Sequence, residues 1–382
     1  TTQVDPLVVE KVIPFLTDRW GNPSSMHHFG GDVEKDIEAA RAQVAEALGA
    51  ESPTEIIFTS GGTESDNTAI RSALASRRGR RRIVTTRVEH PAVLNVCRNL
   101  EREGYSVRYL PVDKDGNLSL DELRNAMDED VALVTIMAAN NETGVLFPVE
   151  KAGEIAHEYG ALFHTDAVQA FGKVPLHLAS GHIDLVSVSG HKIHAIKGVG
   201  ALYVRRGCRF RPFIVGGHQE RGRRGGTENI PGIVAMGVAV ELATTHQADE
   251  QVRVKALRDR LEEGLLHIPM SRVNGDCTNR LPGTSNMSFK NVEGEALLLM
   301  LDRRGICASS GSACTSGTLE PSHVLRAMGV PFTFAHGSLR FSLGRFNTDA
   351  DVDAILTELP PIVERLRELS PLYNKPPVGK AL

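Results

Sequence analysis

The chain has 382 residues, a formal net charge of −4, and 41% apolar against 24% charged residues, which at about 150 residues per domain predicts two or three ordinary globular domains. The acidic balance argues against nucleic acid as the main partner, and no apolar run approaches the roughly 18 residues of a membrane span. No signal-peptide pattern opens the chain, and five cysteines (Cys97, Cys208, Cys277, Cys307, Cys314), few and irregularly spaced, point to a reducing compartment and a cytoplasmic enzyme.

Strand-like apolar runs alternate with helical patterns along the N-terminal part. A helix is predicted from Ile37 to Leu48, with apolar residues three and four apart. Glu55 to Thr59 reads as a strand, followed by Gly61-Gly62 and a helix opening near Thr63-Glu64. The basic stretch Arg77 to Arg82 reads as a solvated turn before the next strand rather than as an anion patch. Val131 to Met137 is almost continuously apolar, as for a strand covered on both faces. A helix from Val149 to Tyr159 separates it from strands at Ala161 to Asp166, Ile183 to Val188 and Gly200 to Val204. Such alternation predicts an α/β domain with a mainly parallel sheet, assigned here to residues 1–247. Beyond it the charged helix Ala248 to Leu266, the short strands Asn286 to Phe289 and Leu339 to Leu343, and the helix Ala350 to Leu369 predict a smaller α+β domain over 248–382. The tail from Pro371 reads as loose. No internal repeat or low-complexity segment is evident.

Three stretches carry chemistry. Ser60-Gly61-Gly62-Thr63-Glu64 puts two glycines and a hydroxyl between a strand and a helix start, where free N–H groups make a phosphate cradle. It is neither a Walker loop nor the spaced-glycine turn of a dinucleotide fold, and alone it also fits an ordinary capped turn. Asp166 closes a strand, with Gln169 three residues on. A carboxylate at the carboxyl end of a parallel strand points into the crevice where such folds bind ligands. His164 with Asp166 lacks a third ligand at suitable spacing, so no metal is assigned. Ser189-Gly190-His191-Lys192 follows the next strand, and a lysine held there among charge partners suits an imine-forming nucleophile. A phosphate anchor, an anion for a pyridinium nitrogen and an imine-forming lysine are together what a pyridoxal cofactor requires.

With these stretches, the segment Ala308-Ser309-Ser310-Gly311-Ser312-Ala313-Cys314-Thr315-Ser316-Gly317, the run Leu319 to Arg326 and the run Ala335 to Arg345 make the chain resemble the cysteine desulfurases over essentially its whole length. These are pyridoxal-phosphate enzymes of the class V aminotransferase superfamily, and the last two runs are most similar to the nitrogen-fixation (NifS) branch. The resemblance implies fold-type I architecture, a homodimer, and conversion of L-cysteine to L-alanine. It implies sulfur leaving through a persulfide on Cys314 toward an iron–sulfur scaffold protein, with nitrogenase assembly as its use. Lys192 would then hold pyridoxal 5'-phosphate, Asp166 pair with the pyridinium nitrogen, Gln169 bind the ring phenolate and His90 stack on the ring and assist proton transfer. Gly62, Thr63, Ser189, His191 and, from a second subunit, Thr227 would hold the phosphate, while Asn141 and Arg340 clamp the substrate carboxylate, a role that suits the planar guanidinium fork. Cys314 separates this chemistry from that of a class V aminotransferase, and relative turnover of selenocysteine separates it from a selenocysteine lyase. A sulfur-carrier role, or metal binding by His27, His28, His191 or His194, has no coherent residue set behind it. Two departures stand out: Ile196 replaces the family's proline, and the chain starts inside the family's Asn-x-Ala-Thr-Thr segment.

Overall fold

The structure is a computed structural model that describes residues 1–176, 178, 181–310 and 321–370. It divides into two compact units. One comprises 1–111, 118–140 and 147–247, and the other 112–117, 141–146 and the residues from 248 onward.

The first unit is built on a seven-stranded sheet: β1 (Ile56–Thr59), β2 (Arg82–Thr86), β3 (Ser106–Leu110), β4 (Val131–Thr135), β5 (Leu162–Asp166), β6 (Leu185–Ser189) and β7 (Gly200–Val204), in the order β1-β7-β6-β5-β4-β2-β3. β3, β2, β4, β5 and β6 pair in parallel, whereas β7 runs antiparallel to both β6 and β1. β4 through β7 are buried along their whole length, which is why β4 and β7 read as near-continuous apolar runs rather than alternating ones, while β5 and β6 also bury His164, Thr165, Asp166, Ser187 and Ser189. Ile57, Ile70, Ile83, Val93, Leu133 and Leu202 belong to one packed cluster against this sheet.

The second unit has a four-stranded antiparallel sheet, β8 (Ser271–Val273), β9 (Thr284–Phe289), β10 (Ser309–Ser310) and β11 (Ser338–Ser342), in the order β10-β11-β9-β8. Phe289, Leu297, Leu301, Leu339 and Phe341 share a core with Leu359 and Val363 of the helix Asp349–Leu369. A mainly parallel sheet with a smaller α+β part is thus the fold the sequence predicted.

Two differences from the sequence reading have physical causes. The helix expected from Ala248 begins at Ile230 and runs 37 residues to Leu266. Its first turns are apolar and buried on most sides, so they show no amphipathic period, and at Gly237 a Cβ would sit 2.8 Å from Ala40 Cα of the neighbouring helix Glu34–Leu48. The basic stretch is also more engaged than a solvated turn. Arg80 Nη1 donates to the carbonyls of Val131 at 2.8 Å and Tyr159 at 2.9 Å, Arg81 lies 5.0 Å over the Tyr105 ring, and Arg82 opens β2.

Candidate active site

The carboxyl ends of β1, β5 and β6 hold the chemistry of the first unit. β1 runs into Ser60-Gly61 and the helix Gly62–Ser76, which starts from Gly61 at φ 151° with no side chain capping it. Its first N–H groups, at the positive end of the helix dipole, are therefore not occupied by a side chain, which is the donor set a phosphate takes. The cup is closely packed. A Cβ on Gly62 would stand 2.7 Å from Val168 Cγ2 and 3.7 Å from Ser189 Cβ, and one on Gly200 would stand 2.7 Å from Gly61 Cα. Glu64 reaches back to accept from Ser60 N at 2.9 Å and takes Arg224 Nε and Nη2 at 3.0 and 3.2 Å. That pairing fixes Arg224 three residues before Thr227, whose own side chain is exposed.

Asp166 ends β5 and is buried. Its Oδ1 accepts from Val168 N at 2.9 Å. Burial pushes its carboxyl up to about 6, against the opposing pull of the Val168 N–H and the positive charge of Lys192. A cation held opposite it would restore full ionisation. Gln169 Oε1 accepts from Lys173 Nζ at 3.2 Å, leaving its amide N–H groups as donors. His90 caps the helix Pro91–Arg102, its Nδ1 accepting from Ala92 N at 3.1 Å, so the neutral ring carries its proton on Nε2.

Ser189 ends β6, and a short 3₁₀ turn, Gly190–Lys192, carries the lysine. Ile193 N and Ala195 N both donate to Gly190 O, at 3.0 and 3.1 Å. Thr2 adds a strap: its N and Oγ1 donate to His191 O at 2.9 and 3.1 Å, and its Oγ1 accepts from His194 N at 2.9 Å. These bonds hold the segment in which Ile196 stands for the expected proline. Burial first, then the charges of Lys192, Lys197 and Lys173, push His191 down to about 4, so its ring is neutral at pH 7.

The second unit brings Asn141 and Arg340 together, Arg340 Nη1 donating to Asn141 O at 2.8 Å. Beside them Glu142 Oε2 accepts from Ser322 Oγ at 2.5 Å. Cys314 lies outside the described residues. Of the other cysteines, Cys97 and Cys208 have thiols pushed up to about 12, chiefly by burial, which suits packing rather than reaction. Cys277 and Cys307 are exposed.

Sequence reasoning missed a buried polar layer beside these strand ends. Asp66, Glu89 and His164 are each almost wholly buried. Glu89 accepts from Thr86 Oγ1 at 2.7 Å and from Met137 N at 3.1 Å, yet burial raises its carboxyl to about 8. The available signal was a polar residue at a core-facing position of a helix or strand, as for Asp66 between Ser65 and Ala69.

The class-V aminotransferase family model matches residues 1–355. A cysteine desulfurase of a Nostoc species is 60% identical over 375 residues, covering 98% of this chain and 94% of the relative. The cysteine desulfurase NifS of Azotobacter vinelandii is 54% identical, covering 98% and 93%. The chain belongs to the cysteine desulfurases of the class-V aminotransferase family. Cysteine desulfurase architecture is matched in three dimensions as well: a solved NifS-like protein superposes with a TM-score of 0.90 at 40% identity, covering 96% of this chain and 98% of that one. The family read from Ser60–Glu64, Ser189–Lys192 and the Cys314 segment is therefore the right one.

Proposed function

We propose that this chain is a pyridoxal-phosphate-dependent cysteine desulfurase that converts L-cysteine to L-alanine and passes the sulfur on for iron–sulfur cluster assembly. The observation that carries the reading is that an uncapped helix N-terminus, a buried Asp166 and the Lys192 turn follow the carboxyl ends of β1, β5 and β6 in one sheet, in a chain of this family. The N–H groups at Gly62 and Thr63, with Ser189 and His191, are the set to hold the phosphate. Asp166 is the anion for the ring nitrogen, Gln169 the donor to the ring oxygen, and His90 the ring-stacking group. When bound, pyridoxal phosphate supplies an electron-withdrawing ring that stabilises negative charge on the substrate carbon.

Lys192 would hold the cofactor and would carry the proton at the substrate Cα. Arg340, tied through Nη1 to the Asn141 carbonyl, fixes the substrate carboxylate with the Asn141 side chain. The Cys314 thiolate attacks the substrate sulfur. The S–S bond forms as the C–S bond breaks, and the bonding pair stays with the three-carbon fragment. That fragment takes up a proton and leaves as L-alanine, so the sulfur remains on Cys314 as a persulfide. The neutral His191 adds a hydrogen bond without a second positive charge.

A homodimer completes this reading. Leu16, Trp20 and Met26 expose large apolar surfaces within the first thirty residues, the kind of patch a second copy covers, and the exposed Thr227 is the residue to reach a neighbouring phosphate. The acceptor is an iron–sulfur scaffold, with nitrogenase assembly as the use and the cytoplasm as the place. No helix among the described residues is long and apolar enough to cross a membrane.

The test is alanine release from L-cysteine by wild type and Cys314→Ser, with the visible spectrum recorded alongside. Alanine from wild type alone, with the cofactor band present in both, supports the reading. A coloured protein that makes no alanine from cysteine would overturn the substrate, and a chain that pyridoxal phosphate cannot colour would overturn the whole.

A further inference from the structure

Asp66 has no part in the reaction described above, yet it is one of the most deeply buried carboxyls in the chain. It sits on the buried face of the helix Gly62–Ser76, one turn past the phosphate cup, and is 1% exposed. Its Oδ1 has no hydrogen-bond partner and lies 3.7 Å from His164 Nε2. His164 is fully buried between two hydroxyls, with Nε2 2.9 Å from Ser187 Oγ and Nδ1 2.8 Å from Thr135 Oγ1. Ser187 is the cross-strand partner of Asp166 in the β5/β6 register, and its hydroxyl is close enough to Asp66 to oppose the effect of burial on that carboxyl. One buried chain of polar groups therefore runs Asp66–Ser187–His164–Thr135, alongside the carboxylate assigned to the cofactor ring.

We propose that Asp66 is a protonated positioning residue that orders this chain and leaves Asp166 to carry the negative charge at the strand ends. Two buried carboxyls that feel each other's charge, as Asp66 and Asp166 do, do not both ionise. Asp166 has the stabilisers of the charged form, a Val168 N–H and the Lys192 ammonium. Asp66 has only the Ser187 hydroxyl opposing burial and the charge of Asp166, so its proton is the one retained. Glu89, the other carboxyl facing this layer, keeps its proton at pH 7 as well.

Proton order along the chain follows from donor counting. A protonated Asp66 donates to Ser187 Oγ, the Ser187 hydroxyl donates to His164 Nε2, and His164 Nδ1–H donates to Thr135 Oγ1. An ionised Asp66 would reverse every bond: the Ser187 hydroxyl would point to the carboxylate and His164 would carry its proton on Nε2. Burial lowers His164 to about 3, so the ring is neutral either way and its tautomer reports the state of Asp66.

This role rests on the cofactor reading only for what the Asp166 charge is used for; the proton on Asp66 can be tested without turnover. In the wild-type protein, ¹⁵N NMR of the histidines at neutral pH is expected to show His164 protonated on Nδ1 and bare on Nε2. The infrared spectrum of wild type minus Asp66→Asn is expected to show a lost protonated-carboxyl C=O band. Asp66→Asn, which keeps a neutral donor at the site, is expected to change pyridoxal phosphate affinity by less than the tenfold that about one pH unit of altered Asp166 ionisation would bring. An Nε2-protonated His164 in wild type, or an unchanged carboxyl band in the variant, would overturn the proposal. Failure to bind pyridoxal phosphate would overturn the functional reading and leave the infrared and NMR results to decide this one.

Discussion

Glu142 lends itself to a quantitative test because one substitution separates its titration from every other in the chain. The carboxyl is buried, accepts from Ser322 Oγ at 2.5 Å and feels the charge of Arg340. Burial outweighs both and pushes it from the ordinary 4.5 up to about 7. Folding therefore takes up a proton between those two pH values. The associated stability is complete below the unfolded pKa and is lost as pH rises through the folded one. At about 1.4 kcal/mol per pH unit the whole effect is roughly 3 kcal/mol, of which roughly 2.5 kcal/mol falls between pH 5 and pH 8.

Glu142→Gln keeps the shape and an oxygen for the Ser322 hydroxyl. Ser322 in turn keeps its bonds from Val324 N and Leu325 N at 3.0 and 3.3 Å, which cap the helix His323–Ala327. The assay is urea unfolding of both proteins at pH 5 and pH 8, taking the difference of differences so that Glu89 and Asp166 cancel. Wild type should lose roughly 2.5 kcal/mol more than the variant on going to pH 8. Stability curves offset from one another but parallel in pH would refute the reasoning, because a purely structural loss has no pH dependence.

Gly200→Ala drives a methyl group onto Val188 O and the backbone of Gly61, at 2.6 and 2.7 Å. Overpacking against backbone should cost about 1–3 kcal/mol and weaken pyridoxal phosphate binding through the displaced cup, measured by unfolding and by cofactor titration; unchanged affinity would detach β7 from the cup. Arg41 and Glu220 form a buried bidentate pair, 2.6 and 2.9 Å, with Phe58 N also donating to Glu220. Glu220→Gln should therefore cost about 3–5 kcal/mol, and Arg41→Met with Glu220→Leu should recover most of it; equal losses in single and double variants would contradict that. Alkylation at neutral pH followed by mass spectrometry should mark Cys277 and Cys307 while sparing Cys97, which is buried with its thiol raised to about 12; equal labelling of Cys97 would refute the burial argument.

The features legible in the sequence were those where one physical requirement dominates the residue choice. β4 and β7 must be covered on both faces, so they appear as near-continuous apolar runs; a helix start proposed to cradle an anion needs glycines and a free N-terminus, so Gly61-Gly62 stands out at a strand end. The antiparallel direction of β7 was not legible, because pairing direction leaves no mark on a strand buried throughout. The helix from Ile230 was half missed for the same reason: the amphipathic period that reveals a helix exists only where one face meets water.

The polar layer under the site shows the limit from the other side. Asp66 and His164 break the apolar pattern of the helix and strand that carry them, Glu89 sits in the turn between β2 and the helix Pro91–Arg102, and from sequence each is indistinguishable from a surface residue. What reveals them is that Ser187, Thr135 and the Met137 N–H come from other elements to meet them. The cost of burying a polar group is met only by partners that the fold supplies, so a buried carboxyl is a property of the assembled sheet. The residues that touch a ligand announce themselves by chemical type at strand ends, whereas those that set the charge of the touching residues become visible only once the strands are in register.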